Sequence, residues 1–363
     1  MENIKNEFLS KADKIRALLK DTGAGGVEVS SQTNFSWLTG GRGFVGLASE
    51  GACASLLIGM DGVYLLANNI ETPRLLDEEV RDLADTLQVG SFPWHSGSQK
   101  ESIIKEVLGG KKCVTDAQLS KDFRNLRSHL TDTEIDRYQA LGKTSAEVVE
   151  DICREIKPGV SEFEIAGKVS SALWSKGIEP ITALIAFDER ISSYRHPLPT
   201  AKKLAKYAMI VVCTRKHGLV ASLTRLVSLG EISKDIKAKH RAVAEIDACF
   251  INATRPGATA REIFGKAVNA YAGTGFKSEW ELHHQGGLTG YEAREYIATM
   301  DSTEVVAVKQ AYAWNPSITG TKSEDAIIVG AAGNRIITHT GKYVYLEAEY
   351  EGVKVLRPDI LVL

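Results

Sequence analysis

Pro158-Gly159-Val160-Ser161-Glu162-Phe163-Glu164-Ile165-Ala166-Gly167-Lys168 returns 98 residues later as Pro256-Gly257-Ala258-Thr259-Ala260-Arg261-Glu262-Ile263-Phe264-Gly265-Lys266. In each copy a Ser or Thr stands three residues before a Glu, the pattern of a capping box at a helix start. Gly177 and Gly275 fall where each helix should stop. A repeat of about a hundred residues is too long for a solenoid unit and predicts duplication of a helix-plus-sheet half. The apolar runs place strands at Ile181–Ala186, Met209–Cys213 and Leu219–Val227 in the first half. They place Ala311–Asn315, Asp325–Val329 and Arg335–Thr338 in the second.

Outward from the repeat, Thr131-Asp132-Thr133-Glu134 offers capping oxygens before an amphipathic run with Ile135, Tyr138, Leu141 and Val148. This start predicts a domain boundary, dividing the chain into 1–128 and 129–363. Before it, Phe8, Leu9, Ile15, Leu18 and Leu19 share one helical face. Short apolar runs follow at 26–29, 53–59 and 63–67, the last two joined by Met60-Asp61-Gly62 as a hairpin turn, with helices near 72–86 and 97–109. That alternation predicts a small α/β domain.

Composition excludes several classes. The 363 residues are 44% hydrophobic and 25% charged with a net charge of -2, an ordinary globular balance. No basic stripe points to nucleic acid. No apolar run is long enough for a membrane span, and the first residues show no signal peptide. Five dispersed cysteines without CxxC spacing argue for reduced thiols and a cytoplasmic protein.

Several segments together resemble one family. Asn34-Phe35-Ser36-Trp37-Leu38-Thr39-Gly40 resembles its N-x-x-Y-L-T-G stretch. Arg195-His196-Pro197-Leu198-Pro199-Thr200 resembles H-x-x-P-T. Val211 to Arg225, ending in Ser222-Leu223-Thr224-Arg225, resembles a hairpin with two aspartates. His283-His284-Gln285-Gly286-Gly287-Leu288-Thr289-Gly290-Tyr291-Glu292 resembles G-H-G-x-G-L-x-x-H-E. Ala313-Trp314-Asn315 with Lys322-Ser323-Glu324-Asp325 resembles the last strand pair. The family is that of creatinase, prolidase and methionine aminopeptidase, the M24 metallopeptidases. It implies an α+β protein: a pita-bread C-terminal domain with an internal pseudo-twofold repeat, preceded by a smaller α/β domain.

In peptidase members five residues ligate a two-metal centre. Here the first position falls at Val211 or Cys213, the second at Ser222, and the others at His284, Asn315 and Glu324. Only His284 and Glu324 remain ligands. Two divalent ions would bring four positive charges against one formal negative charge, and an uncompensated buried charge is costly. No cofactor is therefore expected. The minority reading is a manganese or zinc ion on His284 and Glu324, with His196 as a third donor. The adjacent pair His283-His284 is expected to chelate poorly, because neighbours on a strand face opposite ways. Cys213 is expected to be a small core side chain.

Creatinase, which the chain resembles in fold order, also lacks the metal-binding acids and hydrolyses a C–N bond. The resemblance implies His196 as the proton shuttle, for which an imidazole is suited near neutrality. It places Glu324 and His284 beside it. Arg225, Thr224, Ser222, Tyr291, Asn315 and Arg294 are expected to bind substrate. A threonine at 224, where creatinase has a glutamate for the guanidinium, argues against creatine itself. The leading expectation is a creatinase-like, metal-independent hydrolase or lyase acting on a C–N bond of a small nitrogen-containing carboxylate or dipeptide-like substrate. The alternatives are an Xaa-Pro dipeptidase or aminopeptidase, and a non-catalytic binding protein. Family habit adds a homodimer as the expected assembly.

Overall fold

A computed structural model describes residues 2–363. The chain forms two compact units, one of Met1–Thr133 with His217–Leu219, the other of Glu134–Lys216 with Val220–Leu363.

The first unit is a mixed five-stranded sheet with helices. Its strands are β1 (Gly26–Ser31), β2 (Gly51–Gly59), β3 (Val63–Asn68), β4 (Gln88–Phe92) and β5 (Cys113–Thr115), in the order β4-β3-β2-β1-β5. The helices are α1 (Glu2–Thr22), α2 (Gln32–Thr39), α3 (Thr72–Arg74), α4 (Gly97–Val107) and α5 (Ser120–Arg127). Alternation buries Val27, Val29, Leu56, Ile58 and Leu65 between sheet and helices. The Asn34 stretch is helix α2. Ser31 caps it, and Gly40, at φ 71°, ends it in the left-handed conformation. Asn34 itself is buried, donating to Asp116 Oδ2 at 2.9 Å.

The second unit contains the repeat. Helix α6 (Asp132–Glu155) and α7 (Glu162–Trp174) lead to β6 (Glu179–Phe187), the short α8 (Glu189–Ser193), β7 (Tyr207–Lys216) and β8 (Leu219–Ser228). Helices α9 (Lys234–Ala253) and α10 (Ala260–Gly273) lead to β9 (Gly286–Thr289), β10 (Ala311–Trp314), β11 (Ser317–Ile318), β12 (Thr321–Lys322), β13 (Asp325–Ile328) and β14 (Arg335–Ile336). The chain closes with the hairpin β15 (Tyr345–Tyr350) and β16 (Val353–Pro358), and with β17 (Leu361–Val362). The two main sheets run β17-β8-β7-β6 and β14-β13-β10-β9.

The duplication extends to backbone detail. Ser161 with Glu164, and Thr259 with Glu262, form complete capping boxes, each stabilising its helix by about 1 kcal/mol. Gly159 and Gly257 both have positive φ, as do Gly177 and Gly275. Ser161 bridges Lys203, and Thr259 bridges Val305. Topology corrects one expected correspondence. The strand after α10 is β9, so β9, β10 and β13 are the counterparts of β6, β7 and β8. Arg335–Thr338 supplies only the two-residue edge strand β14. Glycines made β9 hard to see in the sequence. Gly286 has φ 98°, and a Cβ there would stand 2.1 Å from the Ala313 carbonyl oxygen and 2.7 Å from Asn315 Oδ1.

The core of the second half gathers Val243, Ile246, Phe250, Ile263, Tyr271, Leu288, Tyr312 and Ile327 around Trp314. Phe250 stacks on Trp314 with centroids 4.5 Å apart. Asn315 follows Trp314 directly, so its position is set by one of the best-packed side chains in the unit.

Candidate active site

The site lies in the second unit, where β7 and β8 of the first half meet β10 and β13 of the second. Thr224 of β8 donates its backbone N–H to the Glu324 carbonyl at 3.1 Å, and its hydroxyl to Glu324 Oε2 at 2.7 Å. Neighbouring residues alternate sides. Accordingly Arg225 and Asp325, next in each segment, meet behind the site at 3.1 Å.

Glu324 is buried, and both its carboxylate oxygens are occupied. Lys322 Nζ lies 2.8 Å from Oε2 and Arg294 Nη2 3.2 Å from Oε1. Burial alone would raise its pKa, but Lys322 and Arg294 outweigh that and hold it below the usual carboxylate range. Arg294 extends further. Nη1 donates to Ser222 Oγ at 3.4 Å and to the Ala293 carbonyl at 2.6 Å, and Nη2 also donates to Asn315 Oδ1 at 3.1 Å. Ser222 Oγ is in turn 3.3 Å from Cys213 Sγ. Of the two candidates for the first ligand position, Cys213 is therefore the one that faces Ser222. Val211, the alternative, packs with Leu184, Met209 and Leu226 in an apolar cluster. Cys213 is partly buried and belongs to the site, not the core as expected. Burial and then Glu324 push its thiol pKa up, so it is not an activated nucleophile.

Three imidazoles cluster on the open side. His283 Nε2 is 3.1 Å from His196 Nε2, and the His283 and His284 ring centroids are 4.5 Å apart. The expectation that the adjacent pair diverges fails here. His283 and His284 lie in the bend before β9, where strand alternation does not apply. Burial, followed by Lys322 and other cations, lowers His283 to a pKa of about 2. Burial, Arg294 and Lys322 lower His284 to about 4. Partial desolvation and Lys322 also lower His196. All three shifts favour the neutral imidazole.

A buried carboxylate fixes the loop that carries His196. Glu162, inside the first capping box, accepts from Phe187 N at 2.9 Å, Thr200 N at 2.8 Å and Thr200 Oγ1 at 2.7 Å, and also pairs with Arg190. Arg195 anchors the same loop through Glu279 at 2.7 Å and Thr319 at 2.9 Å.

Two expected substrate-binding residues have other work. Arg225 is fully buried, its guanidinium held by Glu150, Asp325, the Thr224 carbonyl and the Thr338 carbonyl. Its place is a strut beneath the site, with no donor directed to a ligand. Tyr291 is also buried, and its hydroxyl donates to Glu134 Oε1 at 2.6 Å. His196, His284, Ser222, Thr224, Arg294, Asn315 and Glu324 do converge.

The sequence profile of metallopeptidase family M24 matches residues 136–348. The chain belongs to this family. An uncharacterized peptidase of Bacillus subtilis, YqhT, is 23% identical over 352 residues, 92% of this chain and 98% of that protein. The prolidase of Pyrococcus horikoshii OT3 superposes with a TM-score of 0.76 at 20% identity, over 95% of this chain and 100% of that one. The Xaa-Pro dipeptidase of Bacillus anthracis gives 0.73 at 18%, over 98% and 100%. The second unit therefore has the pita-bread fold, and the chain is a hydrolase-family protein of the M24 superfamily. Among the described residues no helix is long and apolar enough to cross a membrane.

M24 metallopeptidases imply a divalent-metal centre, and the donors of this M24 chain do not fit a two-ion one. Cys213, Ser222 and Asn315 offer no carboxylate, and the guanidinium of Arg294 is bonded to Ser222, Asn315 and Glu324. The one other group of potential ligands among the described residues is His196, His283 and His284, whose nitrogens all lie within 4.8 Å. His283 and Lys322 are the site residues whose roles the sequence reading missed. The signal for His283 was available: it stands where the family motif has glycine.

Proposed function

We propose that this M24 protein hydrolyses a C–N bond of a small nitrogen-containing carboxylate or dipeptide-like substrate without a two-metal centre. The supporting observation is Glu324. It is the last carboxylate at the ligand positions, and both its oxygens are already bonded by Thr224, Lys322 and Arg294. It serves as a fixed negative anchor, not as a ligand awaiting ions. His196 is the group free to move a proton. Its ring is solvent-exposed, partial burial and Lys322 hold its pKa below the usual imidazole value, and a loop pinned by Glu162 and Arg195 presents it. As a water oxygen bonds to the substrate carbon, His196 takes the proton. As the C–N bond breaks, it returns that proton to the leaving nitrogen.

The test is turnover after exhaustive chelation. The chelated enzyme is offered amidino, ureido and Xaa-Pro carboxylates, and products bearing the elements of water are sought by mass spectrometry. Activity should survive chelation and fall about 10²–10⁴-fold in His196→Ala. Activity that appears only with added manganese or zinc would sink the reading. A second reading has its own observation, the three clustered imidazoles. A single ion held there would make a mononuclear peptidase, and near-stoichiometric zinc lost in His283→Ala would establish it.

A further inference from the structure

Arg294 lies on the loop between β9 and β10, and its guanidinium reaches residues from both halves of the repeat: Ser222 on β8, Asn315 after β10 and Glu324 before β13. Those are three of the five positions where the family resemblance places metal ligands. A guanidinium is a fixed cation at any physiological pH, and its planar fork can bond several oxygens at once. Asn315 and Ser222 are neutral acceptors, and neutral acceptors suit a single positive charge where carboxylates would suit a divalent ion. Lys322 adds a second fixed cation on the other oxygen of Glu324. A dication entering here would meet two resident positive charges and one carboxylate.

We propose that Arg294 is the built-in cation of this site, joining the two halves where a metal centre would, and that its presence, beyond the missing acids, is what keeps divalent ions out. The proposal deepens the metal-independent reading and rests on it. It predicts that restoring the acids alone does not restore metal binding.

The experiment compares three folded proteins by equilibrium dialysis against Mn²⁺ with elemental analysis: the wild type, the variant Cys213→Asp/Ser222→Asp/Asn315→Glu, and the same variant with Arg294→Ala. With Arg294 kept, the new carboxylates should pair with it, and bound manganese should stay below about a tenth of an equivalent. With Arg294→Ala, binding should rise to one equivalent or more, and affinity by at least tenfold. Equal binding with and without Arg294 overturns the proposal, as does failure of the folded Arg294→Ala combination to bind. Binding abolished by adding His283→Ala places the ion on the imidazoles and overturns it too. A second measurement needs no acid variant. In Arg294→Ala alone, millimolar guanidinium chloride should raise the Tm saturably by refilling the vacated place, with no such rise in the wild type. Absence of that difference counts against the proposal. Metal bound by the wild type would sink the metal-free reading itself, while the role of Arg294 is still decided by the paired variants.

Discussion

The two halves of the repeat share a backbone plan and differ in what they bring to the site. Both have a capping box, a positive-φ glycine before it and three corresponding strands. The first half delivers His196, Cys213, Ser222 and Thr224, and no carboxylate. The second delivers His284, Asn315, Glu324 and the two cations Arg294 and Lys322. The two halves match in backbone more closely than in side-chain chemistry. The fixed charges of the site come from the second half, while the first supplies the His196 imidazole and hydroxyls that bond Glu324 and Arg294.

That asymmetry can be broken by mutation. The largest effect is expected from Glu324→Gln, which keeps the shape but leaves Arg294 and Lys322 without their carboxylate. Loss of one partner from such a buried group costs about 3–5 kcal/mol, measurable by urea unfolding. A change under about 1 kcal/mol would show that the cations are solvated and that the second half is not the electrostatic anchor.

An intermediate effect should come with pH. Burial and nearby cations keep His283 and His284 neutral in the folded chain, with pKa values lowered to about 2 and about 4. Unfolded histidines take protons below about pH 6.5, so the unfolded state binds more protons there. Stability should therefore fall as pH drops from about 6.5 toward 4. His284→Gln should flatten that fall in a series of Tm measurements. An unchanged slope would mean that the ring is not desolvated as the geometry implies.

The smallest effect belongs to the first half. Ser222→Ala removes one long hydrogen bond from Arg294, which retains the Ala293 carbonyl, Asn315 and Glu324. The loss should be about 1 kcal/mol or less. If Ser222→Ala matches Glu324→Gln in the same unfolding assay, the division between an electrostatic half and an orienting half is wrong.

Much of the fold was legible because its signals are local. Ser161 and Glu164, or Thr259 and Glu262, meet within one helical turn, so a capping box can be read from spacing alone. Strand β9 was not legible, since Gly286-Gly287 carries no apolar alternation and is shaped by close approach to β10. At the site, the residues that converge were found by motif, but their partners were not. Thr224 and Arg225 are neighbours in the chain, and alternation sends one to Glu324 and the other to a buried network behind it. Only the pairing of β8 with the segment before β13 reveals which is which.

The sequence by itself determined the family, the duplicated architecture and the absence of a carboxylate at Ser222, at Asn315 and at both Val211 and Cys213, because residue identity and spacing suffice for those. The tertiary structure alone decided what replaced them. Charge pairing depends on distances between segments far apart in the chain, such as Arg225 with Asp325, a hundred residues away. Folding brought the guanidinium of Arg294 onto three ligand positions and gathered three imidazoles from two loops.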